Sequence, residues 1–115
     1  GGKFHLAGVS NGGLSSFRIA ILHPELFHSL AGLPGWPSPL DLDRLDRIRG
    51  ISVRLWAGAR ENPSWLDLMR RAEGRLTEIG GDVALEILPG EGHTLGSLAG
   101  GRELFRFLEA KRSSD

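Results

Sequence analysis

Four short apolar runs, separated by segments of helical periodicity and by glycine- and proline-rich turns, constrain this chain more than any other feature. The runs are Phe4 to Val9, His28 to Leu33, Ile51 to Ala57 and Val83 to Leu88. Phe4 to Val9 reads as a buried strand of a parallel sheet, and Ile51 to Ala57, rich in β-branched and aromatic residues and bounded by Gly50 and Gly58, as another strand. After the first, Leu14, Phe17, Ile21 and Leu22 recur at helical spacing, and Pro24 ends the pattern. Leu42, Leu45 and Ile48 place one apolar side on a short helix over Leu40 to Arg49. Leu66, Met69, Ala72 and Leu76 mark a further helix that is entered at Pro63 and closed at Gly80 and Gly81. Arg102 to Lys111 forms the last one, with Leu104, Phe105 and Leu108 turned inward, and Ser113 to Asp115 is a loose tail. Strand–helix units in succession imply parallel strands joined by right-handed crossovers. The expected fold is therefore α/β: a mostly parallel sheet of about four strands with flanking helices, in one domain over residues 1–115.

The first strand ends in an unusual way. In "FHLAGVSNGG" the apolar run stops at a serine with glycines two positions away on either side, and a helix follows at once. Gly8-Val9-Ser10-Asn11-Gly12 fits G-x-S-x-G, the nucleophile elbow. In such a turn the serine sits at a sharp strand-to-helix reversal, and side chains two residues away would collide with neighbouring backbone. The hydroxyl is raised above the sheet, and the helix amino terminus points its N–H groups at developing negative charge. Asn11 is the expected oxyanion donor through its backbone N–H.

A serine hydroxyl needs a base. His93, in "GEGHT" just after the last strand, lies where a loop can carry an imidazole to the carboxyl ends of the strands. A solvent-exposed loop histidine is the competing reading. His5 lies within a strand, at the edge of the core. His23 stands at a helix carboxyl end, and His28 precedes a strand on the surface. The third member is a carboxylate that orients the imidazole. Glu61, three residues beyond Gly58 in "GARENPSW", completes the order Ser10, Glu61, His93. It also reads as a helix-entry glutamate favoured by the helix dipole. Asp67 is the runner-up, inside the predicted helix and pointing away; Asp82 precedes the last strand, at the wrong end of the sheet.

Composition narrows the function classes. Lys plus Arg and Asp plus Glu number 14 each, so no net field selects nucleic acid or an anionic membrane. There is no cysteine, which excludes disulfides, thiol nucleophiles and cysteine metal sites. No apolar run reaches membrane-spanning length. The chain is expected to be soluble; the absence of cysteine leaves the redox compartment undetermined, and the cytoplasm is slightly favoured.

The stretches "GVSNGG", "HPELF", "VRLWAGARE" and "LPGEGHT" together resemble the carboxyl-terminal half of the α/β-hydrolase superfamily. "SNGG" followed by "HPELF" is similar to the feruloyl-esterase and polyhydroxybutyrate-depolymerase-like esterases, and to the prolyl-oligopeptidase-like group. The resemblance implies a truncated α/β-hydrolase fold and ester cleavage through an acyl-serine, with no metal or organic cofactor. Ser10 would be the nucleophile, His93 the general base and acid, and Glu61 the orienting carboxylate. It also implies that Trp36, in the loop "PGWPSP", forms a substrate-binding wall; simple packing of that loop is the alternative. Trp56 reads as core and Trp65 as helix packing. A full member has about four more strands before the elbow, and a second oxyanion donor among them. The first strand is thus expected to need a partner, either a missing amino-terminal half or a second copy pairing along the same strand. Two other functions stay open: a noncatalytic half-domain acting in assembly or binding, and a prolyl-oligopeptidase-like peptidase fragment.

Overall fold

The structure, a computed structural model, describes residues 3–90. The predicted helix Arg102 to Lys111, the tail and His93 lie outside the described residues.

Four strands form one sheet in the order β1 (Phe4–Gly8), β2 (Phe27–Gly32), β3 (Ser52–Gly58), β4 (Val83–Leu88), and every neighbouring pair is parallel. Three helices connect them: α1 (Asn11–Leu22), α2 (Pro39–Leu42) and α3 (Pro63–Glu78). Strands that are adjacent both in sequence and in space need a crossover each, and crossovers of one hand stack their helices on one face. The core shows that consequence. Leu30, Val53 and Leu55 of the sheet pack with Phe17 and Ile21 of α1 and with Leu66, Met69, Ala72 and Leu76 of α3 in a single apolar cluster. Ala31 and Trp56, next to Leu30 and Leu55 along their strands, belong to a second, smaller cluster, as a period of two requires.

The helix ends follow from local chemistry. Asn62 caps α3, its Oδ1 accepting the Ser64 N–H at 2.8 Å, and Pro63 occupies the first helical position. At the far end Gly80 takes φ 83°, and the Gly81 N–H closes on the Leu76 carbonyl at 2.7 Å. Helix α1 starts at Asn11, three residues before the apolar pattern that announces it, because Gly12 and Gly13 occupy its first turn without contributing to that pattern.

One expected element is different. The helix predicted over Leu40 to Arg49 is split into α2 and a 3₁₀ turn at Leu45–Ile48. Its apolar residues Leu42, Leu45 and Ile48 recur every third position, which is the period of a 3₁₀ helix and drifts around an α-helix. Leu45 and Ile48 are fully buried and hold that tighter winding in place. The link from α2 to α1 is ionic. Asp41, only 1% exposed, accepts from Arg18 Nε at 2.9 and 3.1 Å through its two carboxylate oxygens. Replacing Arg18 by Met leaves that carboxylate buried without its cation. Urea unfolding is expected to show a loss of about 1–3 kcal/mol, and adding Asp41→Leu in the same chain should recover part of it.

Candidate active site

The chain reverses from β1 into α1 across Val9 and Ser10. Ser10 stands at φ 59°, ψ −118°, and is the one non-glycine residue with positive φ among the described residues. L-residues avoid this region, and backbone strain of this kind collects at functional turns. Gly8 makes the reversal possible, because a Cβ there would overlap the Gly12 carbonyl; a Cβ on Gly12 itself would meet no atom within 4 Å, so the crowding expected on both sides of the serine is found only at Gly8. The Ser10 N–H is held by the Pro34 carbonyl at 2.8 Å, and the Gly12 N–H by the Val9 carbonyl at 2.9 Å. The Asn11 N–H, between them, makes no hydrogen bond among the described residues. A donor left open at a helix amino terminus can receive an oxyanion.

Glu61 follows β3 on the turn into α3 and is 5% exposed. Its N–H donates to the Gly58 carbonyl at 3.0 Å, and its Oε1 accepts the Asn62 N–H at 3.0 Å. The carboxylate is thus fixed at the helix entry, as the helix-entry reading expects. Asp67 is exposed and paired with Arg71 at 2.8 Å. Asp82 lies before β4, where it accepts from Ser52 Oγ at 2.7 Å and pairs with Arg54 at 3.0 Å. Ser10 and Glu61 follow the carboxyl ends of β1 and β3, whereas Asp82 belongs to the opposite end of the sheet. Ligands of open parallel sheets bind beyond the carboxyl ends.

Trp36 is 5% exposed, and its ring lies on that of Trp65 with centroids 4.5 Å apart and planes 11° from parallel. Trp56 is buried on β3 and donates from Nε1 to Glu86 Oε2 at 3.1 Å. His5 sits half-buried in β1 with Nδ1 2.6 Å from Ser29 Oγ. His23 caps α1 at its carboxyl end. His28 does not precede a strand: it lies within β2 and is half-buried, because β2 begins at Phe27 directly after the 3₁₀ turn Pro24–Leu26. Among the described residues no cluster of His, Asp and Glu could hold a metal ion, and no helix is long and apolar enough to cross a membrane. The Trp36–Trp65 pair was not legible in the sequence, since the residues are far apart along the chain and carry no shared motif.

No protein-family model and no curated protein matches the chain. Solved structures do match. Esterase PE8 is similar at 21% identity and a TM-score of 0.72, over 92% of this chain and 49% of that one. Acyl-protein thioesterase 2 of Zea mays is similar at 19% identity and a TM-score of 0.68, over 95% of this chain and 56% of its own. The polyhydroxybutyrate (PHB) depolymerase of Penicillium funiculosum is similar at 13% identity and a TM-score of 0.62, over 81% and 40%. The chain has the fold of the matched part of these structures, a parallel sheet with flanking helices, and spans about half of their length or less.

The strain at Ser10 can be measured. Ser10→Gly is expected to be more stable than Ser10→Ala by about 1 kcal/mol, the relief of positive φ less the entropic cost of glycine. Equal thermal unfolding midpoints for the two variants would mean that the turn is unstrained.

Proposed function

We propose that this chain carries the nucleophile half of a serine esterase that cleaves carboxylic esters through an acyl-serine intermediate. The observation that carries the reading is Ser10 at φ 59° between a strand and a helix, with the next N–H, that of Asn11, open. The likeness in fold to esterases and to a thioesterase adds to it. Ser10 Oγ attacks the ester carbonyl while His93 takes its proton; the carbonyl oxygen becomes an oxyanion against the Asn11 N–H. Collapse expels the alcohol, which leaves with the proton from His93. Water, deprotonated by the same imidazole, then releases the acid from Ser10. Glu61 holds the imidazole tautomer and balances its transient charge. The assignment of His93 rests on sequence alone. The chemistry itself calls for no metal or organic cofactor.

Covalent labelling by a fluorophosphonate tests the nucleophile. Strong labelling of the chain that Ser10→Ala abolishes, and that His93→Ala lowers by about 10³-fold or more, is the expected result. Absence of labelling in the folded chain would leave the turn as a structural element of an assembly or binding module.

We also infer that the outer edge of β1 takes a further strand, either from the remainder of a larger hydrolase fold or from a second copy. Among the described residues β1 ends the sheet, and Phe4 and Val9 are 61% and 57% exposed on it and just beyond it. Ile19 and Leu22 on α1 and Leu26 in the following turn are exposed as well. A sheet edge flanked by apolar residues invites pairing. Sedimentation velocity separates the two sources. Pairing with a second copy gives a dimer that Phe4→Lys converts to monomer, whereas a monomer at every concentration removes self-pairing and favours a strand from elsewhere.

A further inference from the structure

We propose that residues 33–37, between β2 and α2, are a brace that fixes the Ser10 turn against the turn carrying Glu61, and that Trp36 is a positioning residue of this brace, not a wall for substrate. The inference rests on the esterase reading for its catalytic consequence. Its mechanical part stands on contacts alone.

Ser10 and Glu61 follow β1 and β3, and β2 lies between them. Hydrogen bonding between strands sets their lateral spacing. It leaves the height and tilt of the turns beyond the strand ends undetermined. The turn after β2 supplies that restraint on both sides. Toward Ser10 the contact is backbone to backbone: the Ser10 N–H donates to the Pro34 carbonyl at 2.8 Å, and the Leu33 N–H to the Gly8 carbonyl at 3.0 Å. A Cβ on Gly13 would lie 2.5 Å from Gly35 Cα and 2.8 Å from the Pro34 oxygen. One on Gly35 would lie 2.8 Å from Gly32 Cα and 3.1 Å from Gly13 Cα. No side chain fits between α1 and this turn, so the two backbones move together.

Toward Glu61 the contact is aromatic. Trp36, next to Gly35, stacks on Trp65 in the first turn of α3. The Trp65 N–H returns to the Asn62 carbonyl at 3.0 Å, and the Asn62 N–H binds Glu61 Oε1 at 3.0 Å. The links between are confined, Gly35 by its close contacts with Gly13 and Gly32. Pro34 and Pro37 are fully buried and fixed in φ, and Trp36 belongs to the main apolar core. A ring with one face on Trp65 and 5% of its surface exposed offers little area to an acyl group. A substrate wall would need the reverse.

The two roles differ in kinetics. A wall changes KM and acyl preference; a brace changes kcat alike for all substrates, because displacement of catalytic groups by about 1 Å costs as much as 10²-fold in rate. For Trp36→Leu we expect kcat to fall by about 10- to 100-fold on acetyl, butyryl and aromatic esters alike, with KM within about twofold. Trp36→Phe, which keeps a stacking ring, should restore most of the rate. Loss concentrated in KM, or confined to one acyl class, would overturn the proposal. Amide hydrogen exchange tests the mechanical part without activity and separates its failure from that of the esterase reading. In the unmodified chain the Ser10 amide should exchange at least about tenfold more slowly than that of Asn11, as a bonded and an open N–H must. In Trp36→Leu that protection should weaken while amides within β3 keep theirs. Equal exchange at Ser10 and Asn11 in the unmodified chain refutes the brace even if the variants fail to fold.

Discussion

The arrangement depends on one reversal of the backbone. At Ser10 the chain leaves β1 and enters α1 with no intervening loop, at a φ that L-residues avoid. Helix α1 is thereby drawn back over the sheet, so that Phe17 and Ile21 reach Leu30, Val53 and Leu55 in the core. The same reversal presents the start of α1, with the open Asn11 N–H, at the carboxyl end of the strands. A relaxed loop of several residues would free both the packing and the donor. Strain at this turn is tolerated because two hydrogen bonds hold it from outside, Ser10 N–H to Pro34 and Leu33 N–H to Gly8.

The sheet adds a second constraint. Its strands run in chain order, so each crossover packs beside the last, and the described helices share one apolar cluster on one face. This economy leaves β1 at an edge, with exposed apolar residues on it and on α1 beside it. The turns that carry Ser10 and Glu61 follow the carboxyl ends of the strands, while the polar cluster of Ser52, Arg54 and Asp82 occupies the other end. Chemistry and edge pairing are therefore separable: the first depends on strand ends, the second on the flank of β1.

Much of this was legible because the relevant signals are local. The four apolar runs became β1 to β4 with small changes of boundary, although β1, expected to be buried, is exposed or half-buried along its length at the sheet edge; Leu66, Met69, Ala72 and Leu76 mark the buried face of α3 as their spacing indicates. The turn at Ser10 could be anticipated from Gly8, because a Cβ there meets backbone; Gly12 belongs to the same motif but stands in open space. Where the expectation failed, the local signal was ambiguous. Leu42, Leu45 and Ile48 satisfy an α-helical stripe over one turn but keep a period of three, and burial of Leu45 and Ile48 selected the 3₁₀ form. His28, read as preceding the strand, is its second residue, because β2 starts at Phe27 immediately after the 3₁₀ turn Pro24–Leu26.

The sequence by itself determined the α/β class, the mostly parallel character of its sheet and the identity of the candidate nucleophile, since each is written in spacing along a short stretch of chain. Only the tertiary structure decided what Pro34, Gly35 and Trp36 touch. Their partners, Ser10, Gly13 and Trp65, lie more than twenty residues away in sequence, and no periodicity or motif encodes contacts across a sheet. Those contacts arise when the turns beyond three neighbouring strands are brought to the same edge and must share the space there.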